Sequence, residues 1–186
     1  MPPAMVTVDG FDVPVDITGP ERGSVVAILA GGNHRQAFAP VCERLHIAAL
    51  RTVVIGRDPR LTAKSVIGVL DALDIAWALV VGERAGADLA WELAATRLDR
   101  FIGLVAIDRG HPRVADLAGT IRDEHCPPVE LNTTALVSSP AARAVAAASQ
   151  RYVYGDYRIV DMVSRRNAQQ ATAQLAAEIV LRTSNW

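Results

Sequence analysis

The stretch Leu79-Val80-Val81-Gly82-Glu83-Arg84-Ala85-Gly86 carries an apolar run into a Gly-x-x-x-Gly turn and leaves it as an amphipathic helical pattern. At the centre of a turn like this a Ser or Asp could serve as a nucleophile. The central residue is Arg84, whose guanidinium stays protonated and cannot attack an electrophile. At the start of a helix its charge also opposes the positive end of the dipole, at about 0.3–1 kcal/mol if unpaired. Two arrangements would offset this. Arg84 could pair with Glu83, Asp58 or Asp108 and so close the cleft, or it could help the backbone amides of the helix start hold an anion. Other residues able to do chemistry are His34, Asp58, Asp108 and His111, all at the ends of apolar runs. His111, close behind Asp108, reads either as facing the same cleft or as a solvated or hydrogen-bonded loop histidine. His125 adjoins Cys126, but sequence neighbours rarely have the geometry of a thiol–imidazole pair.

Around Arg84 the order of segments resembles the α/β-hydrolase fold superfamily over nearly the whole chain. Gly82 and Gly86 stand where the G-x-S-x-G nucleophile elbow has its glycines, with Glu83, Arg84 and Ala85 between them. Gly31-Gly32-Asn33 is similar to the H-G-G-x oxyanion loop, with Ala30 in place of its His. Ile55-Gly56-Arg57-Asp58 is similar to the family's next strand end. Ile107-Asp108-Arg109-Gly110 is similar to the stretch before the helical cap, for which only residues 109–130 remain.

The resemblance implies a Ser-His-Asp triad, and all three positions depart from it. Arg84 holds the nucleophile position, and Ser138-Ser139-Pro140 follows the strand that should carry the acid. Ser164-Arg165-Arg166-Asn167 stands where the His should be, and no histidine follows His125. The Asp that epoxide hydrolases and dehalogenases carry at the elbow is not mimicked by Arg. The resulting expectation is a capless, degenerate α/β-hydrolase-like protein with no triad catalysis and no cofactor. It would act in binding or scaffolding toward a small anion or a protein partner, with homo-oligomerisation as one way to cover the uncapped sheet edge. The competing class is an esterase-like hydrolase with relocated machinery drawn from His34, Asp108, His111 or a cleft serine. A third reading takes Val25–Gly32, the next helix and Asp58 as the first unit of a dinucleotide-binding fold, although a third glycine is lacking.

Positioning these residues needs strands alternating with helices. Met5–Val8 and Phe11–Val15 flank Asp9-Gly10 as a hairpin, with Pro14 marking an edge strand because it lacks an amide donor. Apolar runs follow at Ser24–Ala30, Thr52–Gly56, Ala78–Val81 and Phe101–Ile107. The first three precede helical patterns: Phe38, Val41, Leu45 and Ala48; Val66, Val69, Leu70 and Leu73; Leu89, Ala90, Leu93 and Ala94. Runs apolar on both faces are what buried parallel strands require. Residues 109–130 read as loop with room for one short helix. Strands at Ala135–Val137 and Tyr157–Val163, a helix from Pro140 to about Ser149 and a last helix carrying Ala168, Ala171, Leu175 and Ile179 complete an α/β, doubly wound, mostly parallel three-layer sandwich. Trp77, Trp91 and Trp186 read as packing residues, with Trp186 docking the last helix or a partner.

With 186 residues and 51% hydrophobic content, the chain can build one domain with a full core, and 1–186 is read as a single unit. A net charge of -1 offers no electrostatic footprint for nucleic acid or an anionic membrane. Cys42 and Cys126 match no metal-ligand spacing and read as free thiols. No apolar run reaches membrane-spanning length and no leader pattern opens the chain, so a soluble cytoplasmic protein is expected.

Overall fold

The computed structural model describes residues 2–32, 35–162 and 168–184. Strand β1 (Ala4–Val8) turns through Asp9-Gly10, both at positive φ, into antiparallel β2 (Phe11–Thr18). Strands β3 (Val25–Leu29), β4 (Arg51–Ile55), β5 (Ala78–Glu83), β6 (Phe101–Ile107), β7 (Thr133–Val137) and β8 (Tyr157–Asp161) run parallel to one another. All eight join one sheet in the order β1-β2-β4-β3-β5-β6-β7-β8. Parallel neighbours need crossovers, which are supplied by α1 (Ala39–Ile47), α2 (Ala63–Ala72), α3 (Ala85–Thr96) and α4 (Pro140–Ser149), while α5 (Ala168–Thr183) follows β8. Thr62 and Ser65 start α2 with a reciprocal capping box, and Ser139 caps α4 ahead of Pro140. The doubly wound architecture expected from the alternating runs is present.

The period-2 alternation of the strands divides the core. Ala27, Leu29 and Val80 face α2 and α3, while Val26, Ile28, Leu79 and Val81 face α1 and α5. Trp91 is fully buried in the first layer, with its indole N–H donating to the Arg109 carbonyl at 3.0 Å. On the second face Leu175 and Ile179 of α5 supply the buried contacts.

Four expectations change. Pro14 does not mark an edge: β1 is the outer strand, and β2 lies between β1 and β4. The missing donor is tolerated because pairing to β4 starts only at Val15–Ile55, and the Pro14 carbonyl accepts from the amide of Gly56 just past that strand. Residues 109–130 form no helix; they are loop and turns with one parallel bridge, Val129 to Val153. Trp77 is 59% exposed at the amino end of β5 rather than packed. The strand read to Val163 ends at Asp161, and Val163 and Trp186 lie outside the described residues. Among the described residues, no helix is long and apolar enough to cross a membrane.

The loop 109–130 is fastened to α3 and α4. Arg109 and Arg122 approach Asp88 of α3 at 3.4 and 3.0 Å, without a directed hydrogen bond to its buried Oδ1. Burial raises the Asp88 carboxyl against the pull of these two guanidinium groups. His111 is buried between Trp91 and Tyr152. Its Nε2 donates to the Pro127 carbonyl at 2.8 Å and its Nδ1 accepts from the Arg113 amide at 3.1 Å, a pattern only the neutral ring satisfies. Desolvation accordingly lowers its pKa. The folded state therefore binds fewer protons here than the unfolded state once the pH drops toward the unfolded value of about 6.5. Stability from this ring is complete above that pH and lost as pH falls through and below it. Urea unfolding at pH 5 and 7.5 should show a steeper acid loss for the parent than for His111→Gln; equal pH slopes would refute this assignment. Asp88 and Glu92, raised by burial, act in the opposite direction in both proteins and cancel in that difference.

Candidate functional site

The elbow forms because two glycines and a strained residue let a strand, a helix and a loop meet closely. Arg84 sits between β5 and α3 at φ 54, ψ −122, and its carbonyl accepts from the amides of Ala87 and Asp88. A side chain at positive φ costs on the order of 1–3 kcal/mol, which the surrounding contacts must offset. A Cβ on Gly82 would lie 2.5 Å from the Ala87 Cα, and one on Gly86 would strike the Leu29 carbonyl of β3. Gly31, from the loop after β3, lies so close that a Cβ would meet the Glu83 carbonyl carbon and the Arg84 Cβ at 2.7 Å each. The oxyanion-loop-like glycine and the elbow are thus in contact. Gly32, in contrast, faces open space.

Beside the elbow, at the carboxyl ends of β5, β6 and β7, a cleft of about 330 Å3 opens between α1 and α5. Its floor is apolar: Phe38, Val41, Ile107 and Leu175. Its polar lining includes Glu83, Arg84, Asp108 and Ser138. Asp108, at φ 58 past the end of β6, accepts from the Ser138 amide at 2.7 Å and from the Ser138 hydroxyl at 2.5 Å. The next residue, Ser139, is committed to the α4 amide of Ala142 as a cap. Ser138-Ser139-Pro140 therefore closes a strand end and starts a helix at the place where the resemblance implied an acid. The Ser-Ser-Pro start before an Ala-rich run was a readable cap signature. Its tie to Asp108 across the sheet had no local signal.

The structure separates the other candidates. Asp58 is not in this cleft: Arg60 donates to it from its backbone amide, its Nε and one Nη, taking its carboxyl down to about 2. It lines a smaller cavity of about 170 Å3 with Ala85, Gly86 and Leu29 on the other side of the elbow. With Asp58 bound to Arg60 and an antiparallel β2 beside β4, the dinucleotide reading loses its ribose partner and its sheet order. His111 does not face the cleft but is buried beneath the 109–130 loop. Asn33 and His34 lie outside the described residues. His125 is solvent-exposed next to Glu124, while the buried Cys126 thiol, raised to about 11 by desolvation, donates to the Pro127 carbonyl. Among the described residues, no histidine lines the cleft.

Of the carboxylates expected as partners of Arg84, Glu83 is the one it approaches, and the pair is loose and solvent-exposed. Its one ion-pair contact is Glu83 at 3.9 Å, with the two side chains 57% and 34% exposed, and Arg84 makes no hydrogen bond to another described side chain. An exposed, loose pair contributes about 0–1 kcal/mol, so Arg84→Ala leaves the melting temperature nearly unchanged. The backbone matters more than the charge here. Arg84→Gly should be more stable than Arg84→Ala by about 1 kcal/mol, because glycine adopts this φ without strain. Thermal unfolding of both variants measures the difference, and an Ala variant as stable as the Gly variant would show the turn to be relaxed.

No family model matches the chain, and no curated protein matches it by sequence. Solved structures match along its whole length. Epoxide hydrolase A from Mycobacterium thermoresistibile superposes with a TM-score of 0.77 at 11% identity over 98% of both chains. Est1E from Butyrivibrio proteoclasticus gives 0.76 at 12% identity over 100% of both. A loop variant of a haloalkane dehalogenase from Bradyrhizobium elkanii gives 0.74 at 13% identity, over 97% of this chain and 96% of that one. At these identities the likeness is one of fold.

Proposed function

Starting from an α/β-hydrolase fold, we propose that this protein is a non-hydrolytic binding protein whose cleft holds a small ligand where hydrolases of this fold hold substrate. The observation that carries the reading is Arg84: the elbow holds it in a strained turn at the cleft, half-exposed and without a hydrogen bond to a described side chain. A protonated guanidinium cannot form the covalent intermediate that a nucleophile at this position would form, but it binds carboxylate or phosphate well. The chain's own sequence supports the absence of triad chemistry, since no histidine follows His125 to serve as base.

The Ser138–Asp108 contact at 2.5 Å, with both residues lining the cleft, favours one rival: a hydrolase with a relocated nucleophile. Against it, a serine needs a base whose pKa lies near the working pH, which is why histidine usually holds this role. Purified protein should leave short p-nitrophenyl esters unhydrolysed above background and should not react with a fluorophosphonate probe. Stoichiometric labelling of Ser138 would replace the binding reading with the hydrolase one.

A further inference from the structure

We propose that the ligand is a zwitterion with an apolar side chain, of the size and chemistry of a free hydrophobic α-amino acid; the inference rests on the binding reading above. Charge selects the head group. Glu83, Arg84 and Asp108 line a single cavity of about 330 Å3, so one small molecule can reach all three. Among the described residues that line it, two carboxylates and one guanidinium sum to one negative charge. A simple anion would gain Arg84 but face both carboxylates, and a simple cation would gain the carboxylates but be repelled by Arg84 at close range. A molecule carrying an ammonium and a carboxylate on one carbon meets both demands.

Each partner is suited to its half. The guanidinium fork matches a carboxylate in plane with two parallel hydrogen bonds. Its contact to Glu83 at 3.9 Å is loose enough to yield without a hydrogen bond being lost. Asp108 is the better-placed ammonium acceptor. Ser138 clamps each of its oxygens with one bond, fixing the carboxylate while leaving lone pairs free for an ammonium donor. Ser138 is thus a positioning residue for Asp108. The apolar lining then sets the side chain: Phe38, Val41, Ile107 and Leu175 offer nothing to a polar substituent, and Thr172 adds a single hydroxyl on the α5 side. The volume lies near the lower end of the range for ligand sites, about 300–1,000 Å3, which favours a single amino acid over a peptide or a long acyl chain.

Titration calorimetry on the whole protein decides this, with L-phenylalanine and L-leucine as probes. 3-Phenylpropanoate lacks the ammonium and 2-phenylethylamine lacks the carboxylate. Either amino acid should bind, and each single-charge analogue should bind at least about 10-fold more weakly, as expected for loss of a charged hydrogen bond. Arg84→Ala should erase the preference over 2-phenylethylamine, and Asp108→Asn the preference over 3-phenylpropanoate. Ser138→Ala, which loosens Asp108 without removing it, should weaken amino-acid binding in the same direction if Asp108→Asn proves unstable. Failure of both amino acids to bind at about 10 mM, a generous concentration for a millimolar site, overturns the proposal while leaving the non-hydrolytic reading intact if esters remain untouched. Binding of 3-phenylpropanoate as tightly as L-phenylalanine overturns it in favour of a plain anion site. Probe labelling of Ser138 marks failure of the underlying reading instead.

Discussion

Gly86→Ala is expected to destabilise the protein by about 3–5 kcal/mol, at or beyond the upper end of ordinary overpacking. Helix propensity alone predicts the opposite, since Gly86 lies in the first turn of α3 and alanine gains about 1 kcal/mol over glycine within a helix. The two effects differ in sign, which makes the result decisive. The clash wins because of what stands in the way. An added Cβ at Gly86 meets the Leu29 carbonyl oxygen, has its carbonyl carbon at 2.7 Å and has the Leu29 Cβ at 3.0 Å. These are backbone and near-backbone atoms of a central strand paired on both sides, so relief requires prying α3 from the sheet. Gly32→Ala is the control, because its added Cβ meets nothing within 4 Å. Denaturant midpoints with unchanged slope would report the loss. A Gly86→Ala protein as stable as the parent would mean that the elbow is more open than described.

Arg182→Ala should cost about 3 kcal/mol, or roughly 10 °C in melting temperature for a chain of this size. Arg182 is only 7% exposed on α5, yet it carries a full charge. Its Nε donates to the Thr134 hydroxyl at 2.8 Å and one Nη donates to the Thr133 carbonyl at 3.0 Å. The other Nη reaches Asp156 at 2.8 Å. Glu178, one turn earlier and also buried, accepts from Thr134 and from Arg158. Removing the guanidinium strands acceptors between α5 and the sheet and leaves a cavity. Asp156 is largely exposed and recovers water, so Asp156→Asn should cost below about 1 kcal/mol. Arg182→Lys should recover only part of the loss, since one ammonium cannot span three acceptors held in different directions. An Arg182→Ala protein with parent-like stability would show that this network contributes fold specificity rather than stability.

The Arg182 network bears on the cleft, because α5 supplies Leu175 to its floor and Arg182 anchors the far end of the same helix. The polar anchor had a faint trace in the sequence. Glu178 and Arg182 sit four apart on a helix whose Leu175 and Ile179 face inward, and Thr133-Thr134 opens an otherwise apolar run. Residue types alone do not say that these four meet.

What the sequence determined by itself was local in origin. Strands apolar on both faces called for a parallel sheet under helices, Asp9-Gly10 called for a hairpin, and Gly82 and Gly86 called for a tight strand-to-helix turn. The chemistry of Arg84 was equally legible, because a guanidinium is excluded as a nucleophile in any fold. What only the tertiary structure decided was which distant residues share a space. Asp58 and Asp108 both follow strands, yet Arg60 captures the first at short range while the second turns toward Ser138 at the end of the neighbouring β7. His111 and Asp108 are three residues apart, yet a left-handed backbone at Asp108 and the packing of the 109–130 loop on α3 send one into the core and the other into the cleft. Burial of Trp91 and exposure of Trp77 follow from the same cause. Side-chain type sets what a residue can do, but its environment depends on contacts among segments far apart in the chain, and no periodicity in the sequence encodes those.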